Sequence, residues 1–139
     1  MAADPIAFLN CHTIAVAGAS NNRKKYGNIV FRALVGFAKE KEGRVVYPVH
    51  PALELVEGHT AFTDIRSLPT VPEAVSIITP PQVTQKIVDD AIVVGVKFIW
   101  MQPGAEHPDA ILAAEAAGIT VFANGPCILV ALKTIGTDL

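Results

Sequence analysis

The sequence predicts a single doubly wound α/β domain, residues 1–139, with a mainly parallel sheet. Two observations predict it. Short, continuous apolar runs rich in β-branched residues recur along the chain, and segments with helical spacing of apolar residues separate them. Runs of that kind suit strands buried on both faces, which is the habit of parallel sheets covered by helices on each side. A length of 139 residues with 51% hydrophobic and 17% charged residues is enough for one sizeable core and argues against disorder.

The first run, TIAVAG (13–18), stops at a glycine. A basic cluster follows, Arg23, Lys24 and Lys25, before GNIVFRALVGFAKEKEG (27–43) takes up helical spacing. RVVYPV (44–49) predicts the second strand. From Pro51 to Pro72 the pattern is less regular, with a short strand expected at HTAF (59–62) and a short helix at TDIRSL (63–68). AVSIIT (74–79), KFIWMQ (97–102) and ITVFAN (119–124) predict three further strands, separated by helical patterns at PPQVTQKIVDDAIVVG (80–95) and HPDAILAAEAAG (107–118). Gly43, Gly95 and Gly118 stand where helix C-caps belong. Pro80, Pro81 and Pro108 fall at helix starts, where a missing N–H costs nothing.

Composition excludes several classes of function. Net charge is −2, and the basic excess is local to residues 23–25, which favours a small anion over nucleic acid or a membrane surface. Cys11 and Cys127 are far apart and neither belongs to a CxxC pair, so they read as reduced thiols of a cytoplasmic protein. The start, MAADPIAFLN, lacks a positive region leading into an apolar one, and no segment is long and apolar enough to span a bilayer. The expectation is a soluble, unexported protein.

In open α/β sheets, ligands bind beyond the carboxyl ends of the strands where the strand order reverses. That rule selects the loops Gly18–Gly27, Tyr47–Pro51, Thr79–Val83 and Gln102–Glu106. Gly18 lets the backbone approach a phosphate, Ser20 adds a hydroxyl, and the helix starting near Gly27 offers free N–H groups. The dinucleotide fingerprint would place glycines at 18, 20 and 23, whereas this chain has Gly18, Ser20 and Arg23. An NAD site also expects a carboxylate at the end of the second strand, where this chain has Tyr47, Pro48, Val49, His50 and Pro51. Those residues make a rigid apolar wall suited to a face of adenine, and Thr79, Pro80 and Pro81 offer an opposite wall. An ordinary strand-to-helix turn with solvated lysines stands beside this reading.

Other chemistry finds little support. His12, His50, His59 and His107 are scattered, which suits surface or capping roles rather than a metal site. Asp89 and Asp90 are adjacent on a helix and cannot face one substrate together. Asp64 to Arg66 reads as a local surface pair, Trp100 and Met101 as core, and Ser20 lacks the GxSxG elbow of hydrolases.

In order and spacing, AVAGAS, the basic stretch ending in YGN, VVYPVHP, ITPP and WMQPG resemble the small stand-alone CoA-binding domains. These are similar to the N-terminal domain of the succinyl-CoA synthetase alpha subunit. The resemblance runs from about residue 12 to about residue 128 and implies a Rossmann-like fold that binds CoA or an acyl-CoA. It implies that Gly18, Ala19, Ser20 and Asn21 face the pyrophosphate, with Arg23, Lys24 or Lys25 on a phosphate and Tyr26, Gly27 and Asn28 completing the loop. Pro48, Val49, His50 and Pro51 would flank the adenosine, with Thr79, Pro80, Pro81 and Val83 opposite. The pantetheine arm would run toward Gln102, Pro103, Gly104, Asn124 and Cys127. Cys127 has two readings, a buried structural thiol or a partner for the CoA thiol in a mixed disulfide. Two departures stand out: His50 where relatives often have Asn, and Ala52 where they commonly have Lys.

A ribose phosphate plus a pyrophosphate fits a loop that exchanges glycines for a hydroxyl and cations, and a carboxylate at the second strand would repel it. The absence of a convincing nucleophile, base or metal cluster points to binding without catalysis. An NAD(P)-binding redox enzyme or sensor on the same fold is the alternative, and a subunit that completes an active site with another protein is a third reading.

Overall fold

The computed structural model describes residues 4–40 and 42–138, the last five by backbone alone. Five parallel strands form the central sheet: β1 (Thr13–Ala17), β2 (Val45–Val49), β5 (Ala74–Ile77), β6 (Phe98–Met101) and β7 (Thr120–Phe122), in the order β2-β1-β5-β6-β7. A separate antiparallel pair, β3 (Leu55–Val56) and β4 (His59–Thr60), stands apart from it. The helices are α1 (Pro5–Leu9), α2 (Tyr26–Lys39), α3 (Pro81–Val94), α4 (Pro108–Ala116) and α5 (Ile128–Asp138). This is the doubly wound, Rossmann-like architecture expected from the alternation of apolar runs.

Successive strand side chains point to opposite faces, so each central strand feeds two cores. Ala15, Ala17, Ile77, Ile99 and Met101 pack with Ile87, Val88 and Ala91 of α3 and Ala110 and Ala114 of α4. Ile14, Val16 and Trp100 pack on the other side with Val30, Phe31 and Leu34 of α2, Phe8 of α1 and Ile128 of α5. Phe8 meets Trp100 and Phe122 edge-on, and those two rings stack with centroids 4.7 Å apart. This aromatic group fastens α1 beneath the sheet.

The chain leaves β1 for β2 on one side and later returns to β5 on the other, so the strand order reverses between β1 and β5. Ile14 pairs with Val46 on one side and Ala74 on the other, which brings the carboxyl ends of all three strands level. Helix α2 leaves that point on one face of the sheet and α3 on the other.

Several local expectations shift. The short strand near 59–62 contracts to β4, with Phe62 forming a single parallel bridge to Val49. The helix at 63–68 is a 3₁₀ turn at Ile65–Ser67, opened by Asp64, whose side chain accepts from the Ser67 N–H. Asp64 therefore engages Ser67, and the expected surface pair with Arg66 gives way to a cap. Gly95 caps α3 in the left-handed region, and Gly118 follows the cap of α4. Gly43 is not a cap: α2 ends at Lys39 with Glu40 as its C-cap, and Gly43 turns the chain into β2.

Candidate functional site

Three chain segments meet at the reversal of strand order, and two glycines let them touch. Gly18 has φ +94°, and a Cβ there would lie 2.1 Å from the Ile78 carbonyl oxygen at the end of β5. Its own carbonyl leaves no room for a Cβ on Gly27, which would lie 2.1 Å away. The Gly18 N–H donates to Val49 O at 3.1 Å, joining the loop to the end of β2 as well.

The loop that follows is shaped by its own polar side chains. Ser20 Oγ accepts from the Asn22 N–H and Asn22 Oδ1 from the Lys24 N–H, each at 3.0 Å. Asn28 is fully buried, and its Nδ2 donates to Ser20 O at 2.7 Å. The N-cap of α2, Lys25, supplies no side-chain hydrogen bond; the Asn28 N–H bonds Lys25 O at 3.1 Å, which leaves the Tyr26 and Gly27 amides as donors for an anion.

A clasp holds the outer side of the loop. Asn21 Nδ2 donates to Leu55 O at 2.8 Å, and its Oδ1 accepts from the Glu57 N–H at 2.9 Å. Arg23 Nη2 pairs with Glu57 Oε1 at 2.6 Å, and the guanidinium holds that carboxyl below its usual range. Arg23, expected to meet a phosphate, is thus engaged by the β3–β4 turn, and Lys24 is exposed.

Between the strand ends lies a cavity of about 510 Å³. That volume falls in the range of roughly 300–1,000 Å³ usual for small-molecule sites. Gly18, Ala19, Ser20, Lys25, Tyr26 and Gly27 line one end; Val49, His50 and Pro51 form one wall; Ile78, Thr79, Pro80 and Val83 form the other; Thr63, Asp64, Lys86 and Ile87 close the remainder. His50 Nδ1 accepts from the N–H groups of Ala52 and Leu53 at 3.0 and 3.1 Å. The imidazole thereby performs the turn-forming task of a short amide side chain.

Other residues expected at the site take up supporting positions. Pro48 is buried within β2, and Pro81 is the exposed first residue of α3. Gln102 is fully buried; it donates to Ser76 Oγ at 3.1 Å and accepts from the Ile128 N–H at 2.9 Å, so it joins β6 to β5 and α5. Pro103, Gly104 and Asn124 are exposed beyond their strands and do not line the cavity. Thr63, Asp64, Ile78, Lys86 and Ile87 line it without having been singled out as binding residues. Lys86 and Ile87 had a readable signal, since they follow Val83 at helical spacing on one face of α3.

Cys127 precedes α5 beside Tyr26 and outside the cavity lining. The Tyr26 hydroxyl is buried with no hydrogen bond of ordinary geometry among the described residues; burial first, then the Cys127 sulfur, push it above its normal range. Burial raises the Cys127 thiol, but the Tyr26 hydroxyl and the amides opening α5 outweigh that and leave it below its ordinary value. Cys11 differs: burial, then Glu73, push it up to about 11.

Among the described residues no helix is long and apolar enough to cross a membrane, and no three His, Cys, Asp or Glu side chains gather as metal ligands.

A doubly wound sheet with a glycine-shaped loop and an uncapped helix at its reversal point defines a nucleotide-binding class of domain. The chain belongs to the CoA binding domain family, whose pattern matches residues 12–133. It is 36% identical over 92 residues to the alpha subunit of ADP-forming acetate–CoA ligase II from Pyrococcus furiosus. That match covers 66% of this chain and 19% of the relative, so the chain spans about a fifth of that protein. Among solved structures it is similar to a hypothetical protein from Pyrococcus horikoshii OT3, with TM-score 0.85 and 30% identity over 94% of this chain and 89% of the other. It is also similar to the dinucleotide forming acetyl-coenzyme A synthetase 1 of Ca. Korarchaeum cryptofilum, with TM-score 0.74 and 26% identity over 88% of this chain and 27% of the other. Family membership supports a CoA-class ligand.

Proposed function

We propose that this domain binds CoA or an acyl-CoA in the cavity between β1 and β5 and performs no chemistry of its own. The observation that carries the reading is the form of that cavity in a member of this family. One end offers loop and helix amides with Lys25, and the walls at Val49–Pro51 and Thr79–Val83 are largely apolar with no carboxylate at the end of β2. The phosphates lie against Gly18–Ser20 and the start of α2, and the adenosine lies between the walls. Lys25 lines the cavity with no salt bridge among the described residues, while Lys86 is held by Asp90 at 2.8 Å, which leaves Lys25 and the α2 amides to meet the phosphates, the ribose phosphate included. With Arg23 held by Glu57 and Ala52 in place of a lysine, the burden on Lys25 rises.

Titration calorimetry with CoA, dephospho-CoA, NAD and NADP tests this. CoA is expected to bind tightest, with dephospho-CoA weaker by about tenfold for one lost charge-assisted contact. The gap narrows as salt rises. Equal affinity for CoA and dephospho-CoA removes the ribose-phosphate assignment, and preference for NAD overturns the reading.

The pantetheine arm would pass Tyr26 toward Cys127, a position that permits exchange with a CoA disulfide: the Cys127 thiolate bonds one sulfur, the S–S bond breaks, and the other CoA leaves as its thiolate, which takes a proton from water. A lowered Cys127 and a raised Cys11 predict an order of labelling. Iodoacetamide at about pH 8 is expected to modify Cys127 well before Cys11, and bound CoA to slow only the Cys127 reaction. Peptide mass spectrometry reads both rates; no protection by saturating CoA would remove Cys127 from the path.

Similarity to a ligase alpha subunit favours a second reading, in which the same CoA site serves chemistry completed by another protein. Co-purification with a ligase-type partner, and activity only in its presence, would separate the two.

A further inference from the structure

The cavity is electrically asymmetric. Its loop end presents amide donors and Lys25, whereas Asp64, two residues beyond the Phe62 bridge to Val49, adds a carboxylate to the lining. Oδ1 of Asp64 accepts from the Ser67 N–H at 2.9 Å, which fixes the side chain, and its second oxygen accepts no hydrogen bond from the described residues. A carboxylate is an acceptor only, so it repels phosphate and welcomes an N–H donor. That polarity orients a nucleotide with its phosphates at α2 and its base at Asp64. The same lining offers Ile78, Pro80, Val83 and Ile87 to the faces of a flat ring. Lys86, held by Asp90 at 2.8 Å, stands on the same lining as a donor for a ring nitrogen.

Resting on the CoA reading, we propose that Asp64 selects adenine, its free carboxylate oxygen accepting from the amino group at position 6 of the purine. A 6-oxo purine anchored by the same phosphates would turn an acceptor toward an acceptor. The base would then lose its hydrogen bond and leave the carboxylate unpaired.

The test compares adenosine 3′,5′-bisphosphate with inosine 3′,5′-bisphosphate by calorimetry, alongside CoA and 4′-phosphopantetheine. Wild type is expected to favour the adenosine compound by about tenfold or more. Asp64→Asn keeps a good capping residue for the 3₁₀ turn and adds an amide donor able to meet a 6-oxo group. In that variant the ratio is expected to fall to within about threefold, with phosphopantetheine affinity and melting temperature unchanged. A wild type that binds CoA yet treats the two bisphosphates alike overturns the proposal and leaves the CoA reading standing. An unchanged ratio in Asp64→Asn overturns the role of Asp64. A folded wild type that binds no CoA removes both, and should the variant fail to fold, the wild-type ratio decides alone.

Discussion

Ser20→Asp is expected to abolish measurable CoA binding while leaving the domain folded. Ser20 lines the cavity beside Gly18 and the start of α2, and its Oγ accepts from the Asn22 N–H at 3.0 Å. Aspartate makes the same two-residue turn, so the loop keeps its path and its bond from Asn28 to Ser20 O. What changes is charge. A carboxylate at the phosphate end meets the ligand's pyrophosphate, and two like charges about 4 Å apart near a protein surface repel by about 4 kcal/mol. That corresponds to roughly a thousandfold loss of affinity. Calorimetry should show no heat of binding at ligand concentrations that saturate the wild type, with thermal unfolding little changed. Retained affinity would place the phosphates elsewhere, and a large fall in melting temperature would mark Ser20 as structural.

The sheet was legible because parallel strands buried on both faces leave continuous apolar runs, and each of the five runs became a central strand. Helices α1 and α5 were not legible. The first is a five-residue segment, held by burial of Phe8 and Leu9 rather than by its own propensity. The second is joined to the sheet through the bond from its Ile128 N–H to Gln102. The segment between Pro51 and Pro72 depends on distant backbone pairs, such as His50 N–H to Phe62 O and Phe62 N–H to Pro48 O, which no local pattern announces.

At the site, what the backbone demands could be read and what side chains choose could not. Gly18, Gly27 and the prolines at the strand ends mark places where main chain approaches main chain. The partner of Arg23 is Glu57, 34 residues away in a turn with no periodic signal. The same irregular segment delivers Thr63 and Asp64 to the cavity. Only the tertiary path decides which charges a ligand meets, and here it converts part of an apparent cationic cluster into a clasp.

Two alanine substitutions in one helix are expected to act in opposite directions, and the difference measures how tightly the phosphate loop is seated. Gly27 and Gly36 both lie within α2, where replacing glycine by alanine ordinarily stabilises by about 0.5–1 kcal/mol. Among the described residues nothing lies within 4 Å of a Cβ added at Gly36, so Gly36→Ala should show that gain as a higher denaturation midpoint. At Gly27 the added carbon would lie 2.1 Å from Gly18 O and 3.2 Å from Gly18 C, both backbone atoms. Neither can rotate aside. Gly18 is itself confined, since its N–H bonds Val49 O and the Ile78 carbonyl fills the space where a Cβ would stand, so the helix start has to withdraw from the sheet. Overpacking of that kind costs about 1–3 kcal/mol, enough to reverse the helix gain. Withdrawal also carries the first-turn amides and Lys25 away from the cavity, so CoA affinity should fall by at least about tenfold in Gly27→Ala and stay at the wild-type level in Gly36→Ala. Urea denaturation of both variants beside a CoA titration reads the two effects. If Gly27→Ala matches Gly36→Ala in stability and affinity, the contact between the loop and α2 is not what shapes the site.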